Sequence, residues 1–129
     1  MKISDEVYKR LINNSINVKV NKYHNKRVEY DGKKFDSIKE KNYYIKLKLL
    51  ESMDMISDLT LQKKFELQPS YEINGKKVKA INYYADFTYK EKDKLHVIDV
   101  KSEATRKDKV YRLKKKIFEY RYNIEIEEV

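Results

Sequence analysis

The chain contains no cysteine, no tryptophan, one proline and two glycines. Without cysteine there is no disulfide framework, no thiol nucleophile and no thiolate metal site, and the composition fits a reducing cytoplasm. Two glycines cannot build a glycine-rich phosphate loop, which excludes P-loop and dinucleotide-binding folds. No apolar run approaches the ~18 residues of a membrane span. The opening stretch MKISDEVYKR lacks the apolar centre of a signal peptide. No membrane partner is expected.

What the sequence does have is charge and tyrosine. Charged residues make up 40% of the 129 and apolar residues another 40%, with 12 tyrosines and 4 phenylalanines. Disordered chains lack such a store of buriable aromatics, so a folded core is expected. A single domain is the natural count for a chain this long. Lysine and arginine number 30 against 21 aspartates and glutamates, a net charge of +9. A small basic domain calls for a polyanion, most often nucleic acid.

Residues 1–20 carry a weak helical pattern through Val7, Leu11 and Ile12, and read as an extension ahead of a domain at 21–129. Asn21 to Lys34 is basic and polar, with Asp31-Gly32 as a turn, and predicts an arm or a short hairpin. Ser37 followed by Glu40 is a capping box. Tyr43, Tyr44, Leu47 and Leu50 then recur at helical spacing until about Met53–Ser57, where Met53 and Met55 read as packing. Phe65 to Ile73 reads as strand, Asn74-Gly75 as a hairpin turn and Val78 to Tyr89 as a long strand. Lys90 to Lys94 forms a turn and Leu95 to Lys101 a short strand. A second helix spans Lys107 to Tyr122, its apolar stripe read as Val110, Leu113, Ile117 and Tyr120. Ile124, Ile126 and Val129 close the chain as a strand. The order is α-β-β-β-α-β, an α/β fold with a mixed sheet.

The hairpin between Ala80 and Lys101 carries the chemistry. A two-residue turn at Lys92-Asp93 makes Glu91 face Lys94, Phe87 face Ile98 and Asp86 face Asp99. Strict alternation then puts Asn82, Tyr84, Asp86 and Thr88 on one face with Val97, Asp99 and Lys101. Tyr83, Ala85, Phe87 and Tyr89 fall on the other with Ile98 and Val100, a face apolar enough to be core. Directly opposed carboxylates repel and need compensation. A divalent cation with hard oxygen ligands, Mg²⁺ or Mn²⁺, supplies it, and Lys101 points to the same side. The alternative is a surface hairpin whose charges are solvated or paired. Glu40 also reads two ways, as the capping residue or as a carboxylate on the packed face of its helix that needs a partner. His24 and His96 do not pattern as a metal pair, and His96 reads as structural.

These residues, in this order, resemble the PD-(D/E)XK nuclease superfamily, whose core is αβββαβ (the restriction-endonuclease-like fold). Asp86 stands in YYADF, Asp99-Val100-Lys101 in VIDVKS and Glu40 in FDSIKE. More closely, EYDGKKFDSIKE, FELQPSYEINGKK, NYYADFTYK, VIDVKS and KKKIFEYRY resemble a small phage-encoded branch known only as a domain of unknown function. The likeness covers roughly residues 21 to 128. Ala85 departs from the usual proline and Ser102 from a common glycine. The resemblance implies that Asp86, Asp99, the Val100 carbonyl and Glu40 hold the metal, and that Lys101 orients or deprotonates the attacking water. Gln68 is a candidate to support the site. It implies a phage nuclease in the bacterial cytoplasm, with DNA as partner.

Between Arg106 and Arg121 eight basic residues face two acidic ones. Arg106, Lys107, Lys109, Arg112 and Lys116 are therefore candidate phosphate contacts. Lys22, Lys26 and Arg27 form a second basic cluster. By analogy of fold, a Holliday-junction-type substrate and a homodimer are expected. The competing readings are a nucleic-acid-binding module that does not cleave, and a phage protein that binds a host or satellite protein.

Overall fold

The computed structural model describes residues 27–129. The helix expected within residues 1–20, and with it Lys22, His24 and Lys26, lies outside the described residues. The described residues fall into two compact units that divide between Leu59 and Thr60.

The first unit opens with a hairpin of β1 (Val28–Tyr30) and β2 (Lys33–Phe35). Asp31 and Gly32 both take positive φ, 53° and 69°, the primed turn that suits the twist of two short antiparallel strands. Helix α1 (Ile38–Ser52) follows, and Ser37 caps it by accepting from the Glu40 N–H at 3.0 Å. The helix meets both strands of the hairpin. The rings of Phe35 and Tyr44 lie 5.1 Å apart between centroids, and the Tyr44 hydroxyl donates to Asp31 at 3.0 Å. Burial and the Asp31 carboxylate push that phenol up to about 12.

The second unit is built on a mixed four-stranded sheet. Its strands are β3 (Ser57–Gln68, which begins before the dividing point), β6 (Ile81–Glu91), β7 (Lys94–Asp99) and β8 (Ile126–Glu128), in the order β3-β6-β7-β8. A separate hairpin of β4 (Tyr71–Ile73) and β5 (Lys76–Val78) turns at Asn74-Gly75. The strand expected from Val78 to Tyr89 is thus divided at Lys79-Ala80. Helices α2 (Glu103–Arg106) and α3 (Lys109–Tyr122) connect β7 to β8. β6 and β7 run antiparallel, β7 and β8 parallel.

The register of β6 and β7 is the expected one, with Phe87 opposite Ile98 and Glu91 opposite Lys94. Lys92 and Asp93 supply the turn at φ 50° and 65°. The assignment of faces is not as expected. Tyr83 and Ala85 share one core cluster with Val97, Phe65, Phe118 and Ile126. Phe87 and Ile98 are fully buried outside it. Since Phe87–Ile98 and Thr88–Val97 are successive pairs, they point to opposite faces. Alternation therefore breaks between Ala85 and Phe87, at Asp86, and the paired ladder stops there. A break of this kind re-aims the side chain it carries.

The stripe read on α3 is also corrected. Val110 and Leu113 are each 61% exposed and Tyr120 is 92% exposed. Tyr111 and Phe118 are the buried residues of the helix, with Ile117 and Tyr122 packed beside them. Two turns separate Tyr111 from Phe118, so they share one side of the helix. The aromatic area they bury, together with the Tyr122 hydroxyl bond to the Glu66 carbonyl at 2.6 Å, sets the rotation of the helix against the weaker pull of Val110 and Leu113.

Truncating Phe118 to alanine should therefore lower stability by about 3–5 kcal/mol. Val110→Ala should cost less than about 0.5 kcal/mol. Urea unfolding midpoints of the two variants check this, and a larger loss for Val110→Ala would contradict the observed rotation.

Candidate active site

Asp86 sits where the β6–β7 ladder ends. Its Oδ2 accepts from the Val100 N–H at 2.8 Å, and its Oδ1 accepts from the side-chain amide of Gln62 at 3.0 Å. Val100 lies one residue past β7, so a carboxylate oxygen takes the backbone donor that a neighbouring strand would otherwise satisfy. Gln62 reaches Asp86 from a left-handed backbone position in mid-strand, φ 51°, a conformation that costs energy for a residue with a Cβ.

Asp99 ends β7 and is only 3% exposed. The Tyr83 hydroxyl donates to its Oδ2 at 2.6 Å, and Lys101 Nζ lies 3.0 Å from its Oδ1. The strand end is pinned by two 3.0 Å backbone bonds, Lys101 N–H to the Val129 carbonyl and Val129 N–H to the Asp99 carbonyl. Lys101 is held on its other side by Tyr111, whose ring centroid is 3.8 Å from the ammonium. The Tyr111 hydroxyl donates to Glu128 at 2.6 Å.

The two carboxylates disturb one another. Burial and then the charge of Asp99 push the Asp86 carboxyl up to about 6, while the bonds from Val100 and Gln62 pull the other way. Burial and Asp99 together hold the Tyr83 phenol far above its ordinary range, so it stays a donor. Burial and Glu128 do the same for Tyr111.

Asp86, Asp99, Val100 and Lys101 are thus brought together. Gln68 is not among them. It ends β3, six residues beyond Gln62, which at ~3.3 Å per residue is up to about 20 Å along the strand. The glutamine on β3 that bonds Asp86 is Gln62. Glu40 lies in the first turn of α1, in the first unit, and is buried. Arg27, in the same unit, is exposed with Nε 3.7 Å from Asp36. Lys107, Lys109, Arg112 and Lys116 are exposed on α2–α3 or between them. Arg106 Nε lies 3.6 Å from Glu128. His96 bonds Glu127 at 2.7 Å and stacks on Tyr89, a structural placement.

A scan against family models matches residues 20–127 to a family described as a protein of unknown function (DUF1064). The chain belongs to this family. No curated protein and no solved structure matches it. No helix among the described residues is long and apolar enough to cross a membrane.

The family's description names no activity, so what this member's site can do rests on its donors. Among the described residues no three His, Cys, Asp or Glu side chains gather into a metal-holding group. The donor set nonetheless fits a hard divalent cation, since Mg²⁺ is commonly held by one or two carboxylates, water and substrate phosphate. A carboxylate oxygen carries two lone pairs, so the bonds to Gln62, Val100, Tyr83 and Lys101 do not exhaust the acceptor capacity of Asp86 and Asp99. The residues that sequence reasoning missed are Gln62, Tyr83, Tyr111 and Glu128. Nothing local marks Gln62; Tyr83 reads from sequence as core, and Tyr111 lies off the apolar stripe expected of its helix.

The raised Asp86 carboxyl makes stability depend on pH. Between its ordinary 3.8 and about 6, the folded protein keeps a proton that the unfolded chain has lost. Stability without metal therefore falls as pH rises through that window and levels off above it. Asp86→Asn should remove the fall. In EDTA at neutral pH it should be more stable than the parent by on the order of 2 kcal/mol, and the difference should vanish in acid below the window. Thermal melts across pH test this, and Mg²⁺ should raise the melting temperature of the parent and not of the variant.

Proposed function

We propose that the protein is a divalent-metal-dependent nuclease acting on DNA, of the PD-(D/E)XK type. The observation that carries this is the pairing of half-buried Asp86 with buried Asp99 where the β6–β7 ladder ends, with Lys101 on the second of them. Two adjacent carboxylates destabilise the fold unless something compensates them, and the arrangement suits a bound cation better than it suits stability. Asp86, Asp99 and the Val100 carbonyl would hold the ion; for Glu40 this role is what the motif resemblance implies. When bound, the cation supplies Lewis-acid stabilisation of charge on a phosphodiester and a more acidic water.

The chain's own residues do the rest. Tyr83 orients Asp99 through a short hydrogen bond. Gln62 and the Val100 N–H fix both oxygens of Asp86. Lys101 is suspended between the Asp99 carboxylate and the Tyr111 ring. Its ammonium can orient a water or meet negative charge growing on a phosphate oxygen. The basic residues of α2–α3 supply sequence-independent grip on a phosphate backbone, and that grip weakens with salt.

The test is cleavage of labelled four-way junction, flap, duplex and single-stranded DNA in Mg²⁺, Mn²⁺ or EDTA. Cutting should require metal and fall by at least about 10³-fold in Lys101→Ala and Asp99→Asn, with DNA affinity little changed. Glu40→Gln tests its assignment in the same assay. Folded protein that binds DNA and cuts none of the four would instead be a non-cleaving binding module.

A further inference from the structure

Beyond the acidic pair, a strongly charged region lies where α2 leads into α3. A cleft of about 400 Å³ is lined there by five cations, Arg106, Lys107, Arg112, Lys115 and Lys116. Two carboxylates, Glu119 and Glu128, complete its wall. Glu119 is turned to the backbone, accepting from the Ile126 N–H at 2.9 Å. Glu128 lies between Arg106 and Lys115, each with its nitrogen 3.6 Å from a carboxylate oxygen. Its shortest bond is the 2.6 Å one from the Tyr111 hydroxyl. Among the described residues Lys107, Arg112 and Lys116 form no ion pair. Five cations thus surround one loosely gripped carboxylate.

This cleft and the acidic pair share Tyr111. One ring carries Lys101 on its face and Glu128 on its hydroxyl. The two charged centres are separated by the size of a single aromatic side chain, the scale of a step between neighbouring phosphates on one strand.

We propose that the cleft is a phosphate subsite, in which a nucleic-acid phosphate next to the scissile one enters between Arg106 and Lys115 and displaces Glu128 from them. Glu128 keeps its bond to Tyr111 when it yields the two cations. It acts as a resident competitor that offsets the mutual repulsion of Arg106 and Lys115 and gives way to a stronger anion. This deepens the nuclease proposal and rests on it for the identity of the ligand. An internal phosphodiester and a 5′-terminal phosphate offer the same chemistry, and the choice between them decides whether ends are recognised.

The experiment measures DNA binding in EDTA by fluorescence anisotropy on the full chain. The probes are short single strands and duplexes with and without a 5′-phosphate, and circular dichroism verifies that each variant is folded. Arg106→Ala and Lys115→Ala should each weaken binding about fivefold or more and reduce the salt slope by about one. Glu128→Gln should tighten binding by about threefold or more. If a terminal phosphate is the ligand, the parent prefers phosphorylated ends and Lys115→Ala loses the preference. If an internal one is, Lys115→Ala weakens both forms alike. Parental affinity and salt slope in both alanine variants would overturn the subsite, as would weaker binding by Glu128→Gln or no DNA binding by the parent. Binding that responds as expected, without cleavage in Mg²⁺ or Mn²⁺, would keep the subsite and remove the nuclease.

Discussion

The placement of Asp99 constrains the second unit more than any other contact. An ionised carboxylate cannot be buried at a strand end unless donors surround it. Tyr83 and Lys101 meet that need from two sides. Each commits a further element: Tyr83 ties in the first half of β6, and Lys101 requires the Tyr111 ring at the start of α3. Tyr111 in turn fixes Glu128 on β8. A continuous series of contacts therefore runs from the aromatic core, through the acidic pair, to the basic cleft. Removing one member leaves the next a buried charge with one partner fewer, so the series acts as a unit rather than as separate pairs.

Asp86 is held differently, and the contrast matters for chemistry. It accepts from neutral donors, an amide side chain and a backbone N–H, and its nearest charge is the repelling one of Asp99. Its proton affinity is raised as a result, whereas Asp99 has an ammonium beside it. A pair with one carboxylate compensated and the other not is poised to take up a single positive charge centre. An apolar pair of the same volume would give a more stable protein. The two acids are therefore a cost to the fold rather than a support of it.

Much of this was legible in the sequence, and the failures have physical causes. The pairing of β6 with β7 follows from the expected two-residue turn at Lys92-Asp93, and counting from it set Asp86 against Asp99, although the observed ladder ends one pair earlier, at Phe87 and Ile98. Which face each residue occupies could not be counted, because alternation holds only along an unbroken strand and β6 breaks at Asp86. The break is itself tied to the site, since Asp86 spends its carboxylate on the Val100 N–H where the ladder stops. Gln62 was invisible for a related reason. Its reach depends on a left-handed backbone turn in mid-strand, and glutamine carries no signal for that. On α3 the apolar residues offered two stripes, and composition favoured the wrong one. Tyr111 and Phe118 won because the Phe118 ring meets Phe65 of β3 and Tyr83 of β6 and the Tyr111 ring meets Lys101, a tertiary preference that a helical wheel does not contain.

That rotation of α3 has a consequence for binding. Turning Tyr111 and Phe118 inward turns Val110, Leu113 and Tyr120 outward, interleaved with Lys109, Arg112 and Lys116. A helix bearing this much like charge gains nothing from packing against its own copy, since the lysines would meet lysines. The same face presented to a polyanion would set its cations against the negative charges. The helix phase that buries Tyr111 against Lys101 is therefore also the phase that exposes the basic stripe. Core packing, site geometry and the orientation of the charged face are set by one rotation of one helix.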